Sequence, residues 1–165
     1  MLRAMSTSPP TTRVAAHYAF DVAAFDTPEG WSLAVHDAER IVYRNEPHTL
    51  QATITKLDFA ARPSFEEFEQ TCHQRLEAER HVLTDGFVQP AGTSPTPKGF
   101  IAMYMGGDRT SGRLFSGCLL LVDATLFTIY VEGAGAEPQQ LGDAFKAIVS
   151  ACRGAIRPQP APQPG

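Results

Sequence analysis

The period of the sequence changes from strand to helix in the stretch ARPSFEEFEQTCHQRL, residues 61–76. Ser64, followed three residues later by Glu67, is typical of a capping box, in which each side chain accepts a hydrogen bond from the other's free backbone amide. The apolar residues of the stretch then recur at steps of three and four: Phe65, Phe68, Cys72 and Leu76. This spacing predicts an amphipathic helix that packs its apolar face on a sheet.

Short runs of alternating apolar residues precede this helix. They are Tyr18, Phe20 and Val22; Trp31, Leu33 and Val35; Ile41 and Tyr43; and Leu50, Ala52, Ile54 and Leu57. Turn-forming residues at 27–30, 37–38 and 45–47 separate the runs. The pattern predicts a meander of antiparallel strands with one buried face.

Strand composition returns after the helix. Residues 86–97 contain three prolines and two glycines and are predicted to be a loop. Strands are predicted over Phe100–Met105, Arg113–Val122 and Leu126–Val131, with turns at Gly106–Asp108 and Asp123–Ala124. A second helix is predicted from Pro138, with an apolar stripe formed by Leu141, Phe145, Ile148, Val149 and Cys152.

The order strands, helix, strands, helix predicts an α+β fold with two main helices packed on an antiparallel sheet. The chain has 165 residues, which suits one domain. We expect a disordered N-terminal tail over residues 1–14, a single domain over 15–156 and a Pro-rich disordered tail over 157–165. The two halves share a strands-then-helix plan without a solenoid repeat.

Composition and charge narrow the choice of partners. A net charge of −4 with scattered Lys and Arg provides no basic field for nucleic acid. The longest apolar run, Cys118–Val122, is too short to span a bilayer, and residues 1–13 lack the apolar core of a secretory signal. We therefore expect a cytoplasmic protein that binds neither nucleic acid nor membrane.

Residue patterns typical of catalysis are weak. No two of the five histidines have the spacing of a helical metal pair, and Cys72, Cys118 and Cys152 read as buried thiols rather than as a disulfide framework. Ser116 lacks the flanking glycines of a nucleophile elbow. The Gly133-Ala134-Gly135 turn lacks the third glycine of a dinucleotide fingerprint. The sequence therefore predicts no catalytic residue, no metal and no cofactor, and we expect that the protein is not an enzyme.

The chain resembles the PsbP-like superfamily over residues 17–156. The resemblance rests on the order of elements, on the entry Pro28-Glu29-Gly30-Trp31 into an early strand and on the final amphipathic helix that contains Phe145. This superfamily includes Mog-type Ran-binding proteins and bacterial DcrB-like proteins, among them the Eag chaperones of type VI secretion. The resemblance implies a non-enzymatic protein that binds a protein or peptide client on a shallow apolar surface.

A partner-binding surface is expected from two groups of residues. Neighbouring residues of a strand point to opposite faces, so the large apolar groups cannot all share one sheet face. Those on the second face either form an exposed patch that binds a partner or a second protomer, or are covered by other parts of the chain. Asp108, Arg109 and Arg113 lie around the Gly106-Gly107 turn, and Glu132 ends the next strand, so a group of mixed charge is expected at one rim of the sheet. It is either a solvated hairpin tip or a charged rim for a partner. The candidate residues are Trp31, Tyr43, Met103, Met105, Asp108, Arg109 and Arg113.

Three functions are consistent with these observations. The first is a non-catalytic accessory factor or chaperone for a protein client, in a bacterial type VI secretion pathway or elsewhere. The second is an immunity protein that neutralises a cognate toxin. The third is a small-ligand carrier or an enzyme with a site that the sequence does not reveal. An apolar groove favours a client helix, an acidic or mixed convex patch favours a toxin, and a pocket of perturbed titratable groups favours the third function.

Overall fold

The computed structural model describes residues 17–19, 24–37, 39–135 and 137–153. The tails predicted at 1–14 and 157–165 lie outside the described residues, and so do Phe20 and Val22 of the first predicted strand.

Within the described part of the chain, ten strands and two α-helices follow one another. The strands are β1 (His17–Ala19), β2 (Ala24–Asp26), β3 (Ser32–His36), β4 (Arg40–Asn45), β5 (Leu50–Asp58), β6 (Gly86–Thr96), β7 (Gly99–Asp108), β8 (Arg113–Val122), β9 (Thr125–Ala134) and β10 (Cys152–Arg153). The helices are α1 (Phe65–His81), between β5 and β6, and α2 (Pro138–Ser150), between β9 and β10. A 3-10 turn, Glu46–His48, joins β4 to β5.

Seven of the described strands form one antiparallel sheet in the order β3-β4-β5-β9-β8-β7-β6. The two predicted meanders are its halves, and β5 pairs with β9 to join them. The short strands β1, β2 and β10 form a second sheet. The predicted α+β class with an antiparallel sheet is confirmed. The predicted order holds only in part, because β10 follows α2 and pairs with β2 near the start of the domain.

Both helices begin where the sequence predicts. Ser64 caps α1, and the backbone and side chains of Ser64 and Glu67 exchange hydrogen bonds of 2.8 and 3.1 Å in a capping box. Pro138 is the first residue of α2, where its missing amide leaves no hydrogen bond unmade.

The predicted loop at 86–97 is wrong, because Gly86–Thr96 forms strand β6. This strand lies at the edge of the sheet and pairs with β7 alone among the described strands. An edge strand tolerates proline, since an amide that faces away from the sheet makes no ladder bond. A bulge between Pro90 and Thr93, with Gly92 at φ +111°, accommodates the irregular sequence.

The turn predicted at Gly106–Asp108 is also displaced. These residues end strand β7, and the chain reverses over residues 109–112. The two glycines are needed for packing: a Cβ on Gly106 would lie 2.3 Å from the carbonyl oxygen of Phe87 and 2.5 Å from the Phe115 ring. The close approach of a neighbouring backbone and an aromatic ring, rather than a turn, explains glycine here.

The two helices cover opposite faces of the large sheet. On the face that we call the α2 face, Leu141, Ala144, Phe145 and Ile148 pack into an apolar core that extends across the sheet from β4 to β7. On the opposite face, the α1 face, Phe68 packs with residues of β6 to β9. The sheet is therefore the middle layer of the domain.

This arrangement decides which large apolar residues are covered within the chain. Along β7, Phe100 and Tyr104 belong to the core under α1, whereas Ile101 and Met103 belong to the core under α2. Each face has its own helix, so most of these side chains are buried within the chain. Met105 differs, with 44% of its surface exposed.

Candidate functional site

Helix α1 covers only part of its face of the sheet. It packs on β6 and β7, and its buried Phe68 clusters with residues of β7 and β8. Strand β5 lies beyond β9 on the same face, and there its side chains are Gln51, Thr53, Thr55 and Leu57. A channel open to solvent therefore separates α1 from β5, with β9 as its floor. We call this channel the α1 groove.

The α1 groove consists of two adjoining hollows, each of about 320 Å³. They share Thr55, Arg75 and Thr128. The first is also lined by charged and hydroxyl-bearing side chains: Thr53, Glu79, Arg113, Tyr130 and Glu132. The second is more apolar and adds Lys56, Leu57, Thr71, Gln74, Ala78, Leu119 and Leu126. The groove thus has an apolar end and a charged end.

The register between β5 and β9 divides the groove into steps. Leu57 faces Leu126, then Thr55 faces Thr128, and then Thr53 faces Tyr130. Successive pairs on one face of a strand lie about 6.8 Å apart, twice the rise of about 3.4 Å per residue. The chemistry of the groove therefore changes at regular intervals along its length.

Arg75 stands over the middle step. Its Nη2 donates a hydrogen bond of 2.9 Å to the Thr128 hydroxyl, and Thr128 is 9% exposed. Within the described part of the chain Arg75 makes no ion pair with a carboxylate. A guanidinium carries five N–H donors, so most of its donors stay available to a bound group.

Arg113 marks the charged end. Its Nε donates to Glu132 over 2.8 Å, and its Nη2 donates to the Tyr130 hydroxyl. The guanidinium also lies 5.3 Å from the Phe115 ring centroid and 5.6 Å from that of Tyr130. Burial raises the pKa of the Tyr130 hydroxyl, so Tyr130 stays neutral and can accept the Arg113 hydrogen bond. Arg113 is thus held by three partners.

Glu79 lies one helical turn after Arg75 and reaches the same hollow as Tyr130. Burial raises the pKa of the Glu79 carboxyl, and the guanidinium groups of Arg75 and Arg113 oppose that rise. No described residue forms an ion pair with Glu79 or donates a hydrogen bond to it. The carboxyl is therefore partly desolvated without a direct partner.

The sequence contains a signal for Arg75 and Glu79 that apolar spacing alone misses. At about 100° per residue, Arg75 lies seven residues after Phe68 and Glu79 lies eleven after it, so both point within about 20° of Phe68. They occupy the sheet-facing stripe of α1 rather than its solvent side, and both are half-buried. Two charged residues on a sheet-facing stripe indicate a polar site beneath the helix.

The structure separates the seven predicted site residues. Tyr43 is fully buried, and Trp31 and Met103 pack partly buried against the same core on the α2 face. These three side chains belong to the packing of the domain. Met105 is exposed on the strand that carries Met103.

The predicted polar rim divides into two groups. The Asp108 carboxylate accepts backbone N–H groups of Thr84, Asp85 and Thr110 over 2.9 to 3.4 Å, and it ties the β7–β8 turn to the segment after α1. Arg109 lies 3.6 Å from the Asp85 carboxylate, with its guanidinium 5.3 Å from the centroid of the Phe87 ring. Arg113 is the predicted residue that reaches the α1 groove.

The three thiols are free. Cys118 and Cys152 are buried and Cys72 is half-buried. Burial raises the pKa of Cys72 to about 11 and that of Cys152 to about 12, so neither is ionised near neutral pH.

Two further features are absent from the described ranges. No group of three or more His, Cys, Asp or Glu side chains there could hold a metal ion. None of the helices there is long and apolar enough to span a membrane.

Comparison with solved structures identifies the fold. The chain is similar to cyanobacterial PsbP (CyanoP) from Synechocystis sp. PCC 6803, with a TM-score of 0.57 and 12% sequence identity over 83% of this chain and 90% of that one. The chain has a PsbP-like fold. It is also similar to LpqN of Mycobacterium tuberculosis, described as involved in cell envelope biogenesis, with a TM-score of 0.47 and 15% identity over 79% of this chain and 81% of that one. The sequence matches no protein-family model, and no curated protein sequence matches it.

The PsbP-like fold confirms the fold that the sequence resemblance implies, but at 12% identity it does not carry function. The α1 groove departs from the shallow apolar surface expected from that resemblance, because all the side chains that line its first hollow are charged or carry a hydroxyl group.

Proposed function

We propose that this chain is a non-catalytic protein-binding domain that acts in the cytoplasm as an accessory factor or chaperone, and that its client lies in the α1 groove. The observation that supports this proposal is the placement of Arg75 and Glu79, both half-buried, on the sheet-facing stripe of α1, in a groove where neither forms an ion pair within the described chain. Partly burying charged groups without an ion-pair partner opposes folding, so such groups tend to mark functional sites.

The shape of the groove favours a polypeptide over a small molecule. Small-molecule sites enclose most of the ligand surface. The walls of the α1 groove are open: Gln74 and Ala78 are exposed on one side, and Leu57 is 56% exposed on the other. A channel of this kind fits a segment of chain that lies along it.

Site-specific photo-crosslinking in the native host tests this proposal. A photoreactive residue replaces Thr55 on the groove wall or, as the matched control, exposed Lys146 on α2 on the opposite side of the sheet. We expect one client protein to be crosslinked from position 55 and not from position 146, with the crosslink lost in the variant Arg75→Gln. Equal crosslinking from both positions, or a client that crosslinks from position 146 alone, would refute the groove as the client site.

The more specific proposal is that the client is an effector of a type VI secretion system, held before export, as the sequence resemblance implies. A strain that lacks the chain should then lose the ability to intoxicate neighbouring cells, with a lower level of the effector before export. Complementation with the wild-type chain should restore both, and the Arg75→Gln variant should restore neither.

An immunity role is the second candidate, and the mixed charge of the groove favours it. Arg75, Arg113, Glu79 and Glu132 provide both signs within one hollow, which suits the polar surface around a toxin active site. In that case the strain that lacks the chain should be killed by its wild-type siblings while it still intoxicates others. One competition assay therefore separates the two roles, because they predict opposite losses.

A further inference from the structure

The step length of the α1 groove matches an extended polypeptide. Side chains on one face of a strand repeat about every 6.8 Å, and so do the pairs Leu57–Leu126, Thr55–Thr128 and Thr53–Tyr130. A segment laid along the groove would place alternate side chains over successive pairs. Each pair with its neighbours on α1 can therefore be treated as one subsite.

The first subsite is apolar. Leu57 and Leu126, which pair across β5 and β9, form it. Leu57 is 56% exposed, although it lies beside a buried leucine, so an apolar side chain placed here would remove exposed apolar surface from water.

The second subsite is cationic. Other arginines near α1 are paired with carboxylates: Arg80 with Glu77, Arg109 with Asp85 and Arg113 with Glu132. Arg75 is held instead by the neutral hydroxyl of Thr128. That bond fixes the orientation of the guanidinium and leaves its other edge for a planar acceptor, for which a carboxylate is the best match.

The third subsite is anionic. It contains Glu79, Glu132 and Arg113. The bond between Arg113 and Glu132 pairs one positive with one negative charge, which leaves Glu79 and a formal charge of −1. A basic side chain placed over Thr53 and Tyr130 would meet this charge.

We infer that the α1 groove binds an extended client segment whose alternate side chains are apolar, acidic and basic, in that order from Leu126 towards Glu132. The inference rests on the proposed function and names the chemistry of the client segment. Charge complementarity selects this occupant, because the two charged subsites have opposite signs and lie one alternate-residue step apart.

Selection from a displayed dodecapeptide library tests this inference. The library is selected on the immobilised full chain and, in parallel, on the double variant Arg75→Glu/Glu79→Arg. The double variant keeps the composition and net charge of α1, and a two-dimensional amide spectrum shows whether it is folded. We expect the wild type to enrich peptides such as Leu-Ser-Glu-Ser-Lys, or the same order in the reverse chain direction. The double variant should enrich the charge-swapped order Leu-Ser-Lys-Ser-Glu.

One synthetic peptide of each order then gives the size of the effect. We expect at least about a tenfold preference in Kd for the matching order on each protein, since exchanging attraction for repulsion in a partly buried site has a large effect. Amide shifts caused by the peptide should map to β5, β9 and α1. The milder variant Arg75→Gln should lose the preference for the acidic position and keep the basic one.

Several results would overturn the inference. These are the absence of an enriched pattern, the same pattern on both proteins, or peptide-induced shifts on the α2 face. If the wild type formed a dimer and the double variant were a monomer, the groove would bind a second copy of the chain instead. If photo-crosslinking from position 55 nevertheless captured a client, the proposed function would stand and only the alternating pattern would be wrong.

Discussion

The two faces of the large sheet are covered in different ways. On the α2 face, alternate residues of β5 and β9, such as Ile54, Phe127 and Ile129, are fully buried under α2 and its neighbours. On the α1 face the same two strands carry Thr53, Thr55, Thr128 and Tyr130, which line an open groove. The pleat thus places a stabilising core and a candidate binding surface back to back on the same two strands.

This difference separates stability from binding. Burial of large apolar side chains stabilises a domain in proportion to the area removed from water, whereas exposed and partly exposed polar groups contribute little. Substitutions on the α2 face should therefore change the free energy of unfolding, and substitutions in the groove should change binding with little effect on folding. Each of the following measurements tests that division.

The largest expected effect is on the α2 face. Phe127 is fully buried and its ring meets that of Phe25 edge to face with centroids 5.6 Å apart. Phe127→Ala should lower the free energy of unfolding by about 3–5 kcal/mol, measured by urea denaturation. The matched change Thr55→Ala, one strand away on the other face, should alter it by less than about 0.5 kcal/mol. Comparable losses in the two variants would contradict the division between the faces.

A smaller effect is expected under α1, at Gly117. A Cβ at this position would lie 2.4 Å from Cζ and 2.6 Å from the hydroxyl oxygen of Tyr104, whose ring crosses over β8 at the glycine. Gly117→Ala should therefore destabilise the protein by about 1–3 kcal/mol through overpacking. The control is Gly142→Ala within α2, where a Cβ meets no atom within 4 Å and alanine favours the helix by about 1 kcal/mol. Thermal denaturation should give shifts of opposite sign in the two variants.

Local sequence signals predict the elements of this fold well, and they fail where the surroundings decide. The capping box at Ser64 and the proline at 138 mark both helix starts, since each acts within a few residues. By contrast, the prolines of β6 predict a loop, because the sequence does not show that this segment is the edge strand of the sheet. The glycines at 106 and 107 suggest a turn, because the sequence does not show that the Phe87 carbonyl and the Phe115 and Leu114 side chains approach them from the neighbouring strands.

The candidate site was harder to predict from the sequence. The sequence groups Arg113 with Glu132 at one rim of the sheet, and the two form a hydrogen bond, but the groove that Arg113 lines depends on where α1 stops covering the sheet. The sequence suggests that Tyr43 and Met103 lie on an open face, but both pack against the core that α2 covers. Which helix covers which face is a property of the packing that spacing along the chain does not determine.

The pH dependence of stability distinguishes Glu79 from an ordinary surface carboxyl. Its pKa in the folded protein is raised above the ordinary value of 4.5 by burial. A carboxyl whose pKa is raised on folding stabilises the folded state at a pH below its pKa in the unfolded chain. That contribution is lost as the pH rises through the pKa of the folded protein. Glu79→Gln should therefore raise the melting temperature at about pH 7 and leave it unchanged near pH 4. The control is Glu77→Gln, two residues before Glu79 in the sequence, where the carboxylate accepts a hydrogen bond from Arg80. This variant should not show the rise in melting temperature.

The smallest expected effect has the opposite sign and lies at Asp108, in the turn beyond the groove. Its pKa is lowered from 3.8, first by the backbone hydrogen bond from Thr84, with burial opposing the shift. A carboxyl whose pKa is lowered on folding stabilises the folded state at a pH above its pKa in the unfolded chain. The contribution is lost as the pH falls through the pKa of the folded protein. The melting temperature of Asp108→Asn should thus fall below that of the wild type at about pH 7, with the two converging towards about pH 2. Asp123→Asn, in the turn between β8 and β9, is the control and should follow the wild type throughout. If the Asp108 and Glu79 variants shifted in the same direction at pH 7, the groove carboxyl would behave as a hydrogen-bonded structural group, and its assignment to client binding would lose its main support.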